Sequence, residues 1–142
     1  MRSYEMKRMH MGRLQSGVDL LNGLTDKVCE VGVRAGYVFA LGTLRNAVIG
    51  FYDQDRKEYD SLFFDEPLEI VTCQGNISIK DEQVMLHLHI SIGDEKGEMY
   101  GGHLMEGSEV AVVEFCIAEF SGDPLERNYD EEFKLDLWLP IG

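Results

Sequence analysis

Apolar and polar residues alternate along most of the chain, which is the pattern of half-buried β-strands. Residues 85–92 show it most clearly, with aliphatic side chains at every second position and Met85, His87, His89 and Ser91 between them. A strand of this kind buries its aliphatic face and keeps both histidines on the opposite face. Residues 93–97 are rich in turn formers, so residues 98–105 are predicted to return as the second strand of a hairpin.

One segment has the three- and four-residue apolar spacing of a helix instead. Its stripe predicts a helix over residues 18–33 and consists of Leu20, Leu21, Leu24, Val28 and Val31. Asp19 is placed in the first turn, where a negative charge suits the helix dipole, and Gly36 is expected to close the helix. Further β-rich runs are residues 4–14, 37–44, 46–52, 59–64, 67–72, 75–80, 109–120 and 133–139. The sequence therefore predicts an α+β fold, a mostly antiparallel β-sheet with one long helix packed on it.

Length and composition predict one domain over residues 1–142, compact and rich in tight turns, because the chain has 44% hydrophobic residues, 15 glycines and only three prolines. No apolar run approaches the length of a membrane span, and the first residues lack the apolar core of a secretory signal. Cys29, Cys73 and Cys116 are odd in number and far apart, which favours reduced, buried thiols over disulfides. We therefore expect a cytoplasmic protein.

The net charge of −13 argues against DNA as a direct partner. Binding to duplex DNA relies on lysine and arginine to displace counterions, and the chain has no basic run. Self-association is better supported, since one helix cannot cover all the strands. Exposed strand edges and apolar patches are commonly hidden in oligomers. The aromatic residues expected near such surfaces are Tyr37, Phe39, Phe51, Tyr52, Phe63 and Phe64.

Three of the four histidines fall within seventeen residues, at His87, His89 and His103. If the turn is residues 93–97, Ile92 pairs with Glu98 and His103 lies directly across from His87. Cross-strand Cβ atoms are roughly 4.5–5.5 Å apart, close enough for imidazoles to share one metal ion. A loop one residue shorter turns His103 to the other face, and a bulge at Gly101-Gly102 would restore the arrangement.

Three neutral imidazoles predict zinc or another divalent transition metal, with the fourth coordination position left for water, a small anion or another ligand. The alternative is three hydrogen-bonded histidines that line a groove between subunits. His10 is interpreted as a surface histidine without a role.

An enzyme is not clearly indicated. A metal can make its bound water nucleophilic, so a metal-dependent hydrolase or lyase is one alternative. Such chemistry needs a general base, and Glu69, Glu106 and Glu114 are candidates only because they lie in or beside β-rich runs. Arg45 follows an apolar strand and could anchor an anion, although a surface arginine in a turn is the simpler interpretation. The motifs of serine hydrolases, phosphate loops and dinucleotide-binding folds are missing from the sequence.

The succession of segments resembles the plants and prokaryotes conserved domain, abbreviated PPC. The resemblance covers about residues 4–138 and is carried by residues 40–53, 67–78 and 126–139, and above all by the His-x-His of residues 87–89 followed by Gly101-Gly102-His103. It implies an antiparallel α/β fold, assembly as a homotrimer, and in some prokaryotic relatives a metal at these histidines. In plants the domain is joined to AT-hook segments that grip the minor groove of DNA, and prokaryotic members carry a DNA-binding label by that association. This sequence contains no segment like an AT-hook.

Three hypotheses follow. The first is a homotrimeric protein that binds zinc through His87, His89 and His103, with a small anion or ligand at the metal. The second is a DNA-associated regulator, as the family label suggests. The third is a hydrolase or lyase that uses metal-bound water.

Overall fold

The computed structural model describes residues 1–140, and its main feature is a single eight-stranded sheet. The strands are β1 (Met6–Arg13), β2 (Gly36–Leu44), β3 (Ala47–Asp53), β4 (Glu58–Phe64), β5 (Leu68–Lys80), β6 (Gln83–Gly93), β7 (Met99–Leu104) and β8 (Val110–Phe120). They are ordered β1-β8-β2-β5-β6-β7-β3-β4 and pair antiparallel. The helix α1 (Leu20–Glu30) precedes β2, and a separate hairpin of β9 (Arg127–Asp130) and β10 (Leu135–Trp138) follows β8. The predicted antiparallel sheet with one helix is confirmed.

The helix makes the two faces of the sheet unlike. Leu20, Leu24 and Val28 of α1 are fully buried and belong to one core with aliphatic residues of the strands, such as Leu88 and Ile90 of β6. Because side chains alternate along a strand, the neighbours of these core residues point to the other side, which we call the open face. The β9–β10 hairpin lies over part of the open face, where it is hydrogen-bonded to β5 side chains.

The helix is shorter than residues 18–33 because its two ends differ from the prediction. Asp19 is the N-cap rather than a first-turn residue, and its carboxylate accepts a hydrogen bond from the Asn22 N–H at 2.8 Å. At the other end Gly32 has a φ of +69°, and the Val33 N–H donates to the Val28 carbonyl at 3.1 Å. This is a Schellman motif, which glycine favours. Gly36 therefore does not close the helix, and it begins β2 instead. No helix within residues 1–140 is long and apolar enough to cross a membrane.

Residues 67–72 and 75–80 were predicted as two strands, but they are the single strand β5. A shift of register between Ile70 and Thr72 interrupts the alternation, and Gly75 looks like a turn residue in the sequence. Its role is close approach: a Cβ at Gly75 would lie 1.8 Å from the His87 carbonyl oxygen. At the C-terminal end, β10 lies within the predicted residues 133–139, whereas the short strand β9 was not predicted as a separate element.

The three cysteines are all free thiols. Cys73 is buried, and burial raises the pKa of its thiol to about 12. Cys116 is half-buried, and Cys29 is exposed in the last turn of α1. The prediction of buried thiols is therefore wrong for Cys29, which lies beside the apolar stripe of the helix and not on it.

Candidate metal centre

The histidine hairpin is formed by β6 and β7, with a register two residues away from the predicted one. Ile92 pairs with Tyr100 rather than with Glu98, and His103 lies opposite His89 rather than opposite His87. The turn starts one residue later than predicted because the Asp94 carboxylate accepts hydrogen bonds from the backbone N–H groups of Lys96 and Glu98. A two-residue shift keeps every side chain on its face, so all three histidines still lie on the open face.

No bulge is required to bring His103 to that face, since the pairing of β6 with β7 is continuous from His89 to Gly93. The glycines before His103 serve another purpose. A Cβ at Gly102 would lie 2.5 Å from the Gly50 carbonyl oxygen, so glycine there allows β7 to approach β3 closely.

The three imidazoles form one compact group. The ring centroids are 5.1 Å apart for His87 and His103, 5.3 Å for His87 and His89, and 5.6 Å for His89 and His103. One nitrogen from each ring can be chosen so that the three atoms lie within 4.8 Å of one another. His87 and His103 are half-buried and His89 is exposed, so the group opens to solvent on the His89 side.

The surroundings keep His87 and His103 uncharged at neutral pH. Burial lowers the pKa of His87 to about 4, and the positive charge of Arg127 acts in the same direction. Burial also lowers the pKa of His103 to about 4, with smaller effects from the other two histidines and Arg127. His103 Nδ1 is buried without a hydrogen-bond partner among the described residues. Neutral imidazoles with an unpartnered nitrogen fit the donor set of a borderline transition metal.

A family comparison agrees with this geometry. The model of the Plants and Prokaryotes Conserved (PCC) domain, also abbreviated PPC, matches residues 1–121. The chain belongs to this family. The matched residues include α1, the eight-stranded sheet and all three histidines, whereas the β9–β10 hairpin lies outside the match.

Solved structures of other proteins share the PCC fold along the whole chain. A metal-containing protein from Archaeoglobus fulgidus is 39% identical with a TM-score of 0.89, and the match covers 99% of this chain and 100% of that one. A plant- and prokaryote-conserved protein from Pyrococcus horikoshii is 30% identical with a TM-score of 0.93, covering 100% and 98%. A protein from Bacteroides thetaiotaomicron for which DNA binding has been suggested is 27% identical with a TM-score of 0.86, covering 95% and 96%.

Curated relatives are much longer proteins. The bifunctional protein GlmU of Synechococcus sp. (strain JA-3-3Ab) is 28% identical over 124 residues, which are 82% of this chain and 19% of that protein. The same protein from strain JA-2-3B'a(2-13) is 31% identical over 119 residues, 79% of this chain and 18% of that protein. This PCC-domain chain thus spans about a fifth of the length of the curated relatives it matches.

The other residues singled out in the sequence lie away from the cluster. Glu69, Glu106 and Glu114 are exposed, and none belongs to the histidine group. Arg45 forms an ion pair with Glu109 at 3.0 Å, which supports the surface interpretation of Arg45. His10 is half-buried with Nε2 3.6 Å from Glu119 Oε2, so it is not a freely exposed histidine. It lies opposite the core residue Ile117, on the face of the sheet that carries the helix.

Two residues beside the cluster were missed. The ring of Tyr59 lies 4.9 Å from that of His103, and burial raises the pKa of Tyr59. Arg127 is buried and close enough to influence the pKa of His87. Tyr59 lies on β4 and Arg127 on β9, both distant in sequence from the histidines. Only the strand order and the fold of the hairpin onto the open face reveal their position.

Proposed function

We propose that this PCC-domain protein binds a divalent transition metal, zinc first among them, through His87, His89 and His103. The observation that carries the proposal is the convergence of three imidazole nitrogens within 4.8 Å on one sheet face. The lowered pKa values of His87 and His103 add support, because a metal binds the neutral imidazole and need not displace a proton. The metal-containing relative from Archaeoglobus fulgidus, at 39% identity, supports it independently.

A zinc ion held by His87, His89 and His103 would supply Lewis acidity to a ligand bound beside them. The protein's own contribution is to hold the imidazoles. His87 and His89 are two residues apart on β6, and His103 is fixed by the pairing of β7 with both β6 and β3. Rigid strands thus position all three donors, and the exposed His89 leaves the centre accessible to solvent.

Binding of a ligand is better supported than turnover. A hydrolase or lyase needs a general base near the metal. Among residues 1–140 the metal-ligand grouping contains no carboxylate, and Asp136, which lines the cavity beside His87 and His103, is bound to Lys80. Tyr59 packs beside His103, and its raised pKa makes it a proton donor rather than a base at neutral pH.

A DNA-associated role is the second candidate, favoured by the suggestion of DNA binding for the Bacteroides thetaiotaomicron relative. The net charge of −13 opposes direct contact with DNA phosphates. We therefore expect any regulatory role of this chain to operate through a partner protein.

The metal proposal is tested by metal content, measured by inductively coupled plasma mass spectrometry on untagged protein after incubation with zinc and desalting. We expect about one zinc per chain, by analogy with three-histidine sites. The double variant His87→Ala/His89→Ala is expected to lose the metal, and the matched control His10→Ala to keep it. A wild type without metal, or a folded double variant that retains it, contradicts the proposal.

We further infer that copies of the chain assemble through the open face, as homotrimers by resemblance to the family. The support is a row of exposed apolar side chains on neighbouring strands, here called the apolar patch: Met9, Met11, Phe39, Leu41, Val71 and Val112. Phe39 and Met11 both flank Cys116 of β8, so this patch is continuous across β1, β8 and β2. Exposed apolar surface of this kind is usually covered by another protein surface.

A further inference from the structure

Arg127 begins β9 and is only 7% exposed, although its side chain is charged. Its Nε donates to Ser78 Oγ at 2.8 Å, its Nη2 to Asn76 Oδ1 at 2.8 Å, and its Nη1 to the Asp136 carbonyl at 2.9 Å. The guanidinium carbon also lies 5.1 Å from the centre of the Trp138 ring. All these partners are electrically neutral.

No ion pair satisfies this buried charge among residues 1–140. Asp136 is the carboxylate that acts on Arg127, but its Oδ2 is bound to Lys80 Nζ at 2.5 Å and its buried Oδ1 has no hydrogen-bond partner among the described residues. One negative charge is therefore shared between two cations. An arginine stays protonated in proteins, and burying its charge without a counter-ion is costly. The fold therefore keeps a partly uncompensated positive charge at the histidine cluster.

The guanidinium also has donors to spare. An arginine carries five N–H groups, and three of those of Arg127 are used within the chain. The two that remain belong to Nη1 and Nη2, the pair that forms the fork by which arginine grips carboxylates and phosphates.

Arg127 lines a cavity of about 180 Å³ together with His87 and His103. Imidazoles, two cationic side chains and one carboxylate share its polar lining, which consists of His87, His103, Tyr59, Arg127, Lys134 and Asp136. The Asp136 carboxylate is bound through Oδ2 to Lys80, which lies outside the lining. Leu135 and Leu137 of β10 form an apolar wall. Water occupies ~30 Å³ per molecule in the liquid, so the cavity holds a ligand of roughly half a dozen non-hydrogen atoms.

We propose that this cavity is a binding site for a small oxyanion, a carboxylate or a phosphate, held between the Arg127 guanidinium and the metal position at His87 and His103. This inference rests on the proposed metal centre. Two neighbouring cations repel each other, and an anion between them removes that repulsion while it uses the free donors of Arg127. Lys134 adds positive charge at the rim, and the Tyr59 hydroxyl is available as a neutral donor.

The test is isothermal titration calorimetry of zinc-loaded protein with inorganic phosphate and, separately, with malonate. We expect at least one of them to bind, and the tighter one identifies whether the site prefers phosphate or carboxylate. Loss of one charge-assisted interaction weakens binding by about ten- to a hundredfold, which is the expected effect of Arg127→Gln. Arg45→Gln removes a surface arginine and is expected to bind as the wild type does.

Because Arg127 joins the hairpin to β5, Arg127→Gln must be shown to be folded by circular dichroism. Lys134→Gln provides a second variant that breaks none of these hydrogen bonds, and a two- to fivefold loss of affinity is expected for a rim charge. The proposal is overturned if neither anion binds the zinc-loaded wild type, or if folded Arg127→Gln and Lys134→Gln both bind like the wild type.

Zinc content measured on the same samples separates this outcome from failure of the metal centre. Zinc bound without any anion binding overturns the oxyanion site alone. Anion binding that depends on Arg127 in a protein that takes up no zinc overturns the metal centre and supports the Arg127 part of the site.

Discussion

Single residues determine how closely β6, which carries His87 and His89, packs against β5, and Gly75 is the clearest example. It sits in the middle of β5 opposite Leu88, and a Cβ there would lie 1.8 Å from the His87 carbonyl oxygen. We expect Gly75→Ala to force β5 and β6 apart and to lower the free energy of unfolding by about 1–3 kcal/mol, as overpacking does. Urea denaturation of metal-free protein measures this loss.

The matched control is Gly93→Ala, in the same pair of strands. The nearest atom to a Cβ at Gly93 is Val71 Cγ2 at 3.7 Å, an ordinary contact. Equal stability losses in the two variants would show that the close approach at Gly75 is not the cause.

At the same scale, alternation alone was sufficient to group His87 with His89, since a period of two is independent of register. The strand partner of His103 could not be predicted from the sequence, because hydrogen bonds to the Asp94 side chain determine where the turn begins. His103 still lies on the predicted face because the error in the predicted register was an even number of residues. Arg127 had no local signal, since its partners Asn76 and Ser78 lie about fifty residues earlier in the chain.

Among the elements, α1 depends on one side chain at its start. Asp19 Oδ1 caps the helix at Asn22, and Asp19 Oδ2 accepts hydrogen bonds from the backbone N–H groups of Gly107 and Ser108 at 2.7 and 3.1 Å. The carboxylate therefore ties the helix to the turn between β7 and β8. We expect Asp19→Ala to destabilise the protein by about 1–3 kcal/mol, more than a cap alone, because three backbone donors lose their partner.

Thermal and urea unfolding of three variants distinguish the effect of the Asp19 hydrogen bonds from the effect of its negative charge. Asp19→Asn retains one oxygen acceptor and is expected to fall between wild type and Asp19→Ala. Asp26→Ala removes an exposed carboxylate from the same helix and is expected to have little effect. A loss from Asp26→Ala as large as that from Asp19→Ala would point to net charge instead of capping.

The elements themselves were mostly predictable, and the errors have local causes. The apolar stripe identified α1, but it does not predict where the helix ends. The end is set by a Schellman motif at Gly32. The prediction divided β5 into two strands because a register shift and a glycine in its middle resemble a turn in the sequence. β9 has only four residues and relies on its pairing with β10, so its sequence alone carries too little pattern.

At the scale of the whole molecule, the helix covers one face of the sheet and the β9–β10 hairpin only part of the other. The apolar patch lies on the uncovered part of the open face, with Phe39 46% and Leu41 58% exposed. Of the six aromatic residues that the sequence placed near such surface, only Phe39 belongs to the apolar patch, because the positions of exposed strands depend on strand order. The order places β1, β8 and β2 side by side at one end of the sheet, away from the edge strand β4.

If copies of the chain meet at the apolar patch, an aspartate there must be desolvated on assembly and weakens it strongly. We expect wild-type protein to sediment as a trimer and Phe39→Asp/Leu41→Asp to dissociate at least tenfold more readily. Phe51→Asp, on the other face and 68% exposed in the wild type, is expected to leave assembly unchanged. Each chain has a net charge of −13, so added salt screens the repulsion between chains and is expected to strengthen a trimer held by apolar contacts. A trimer held by ion pairs would instead be weakened by salt. Sedimentation velocity at low and high salt distinguishes assembly through apolar contacts from assembly through ion pairs.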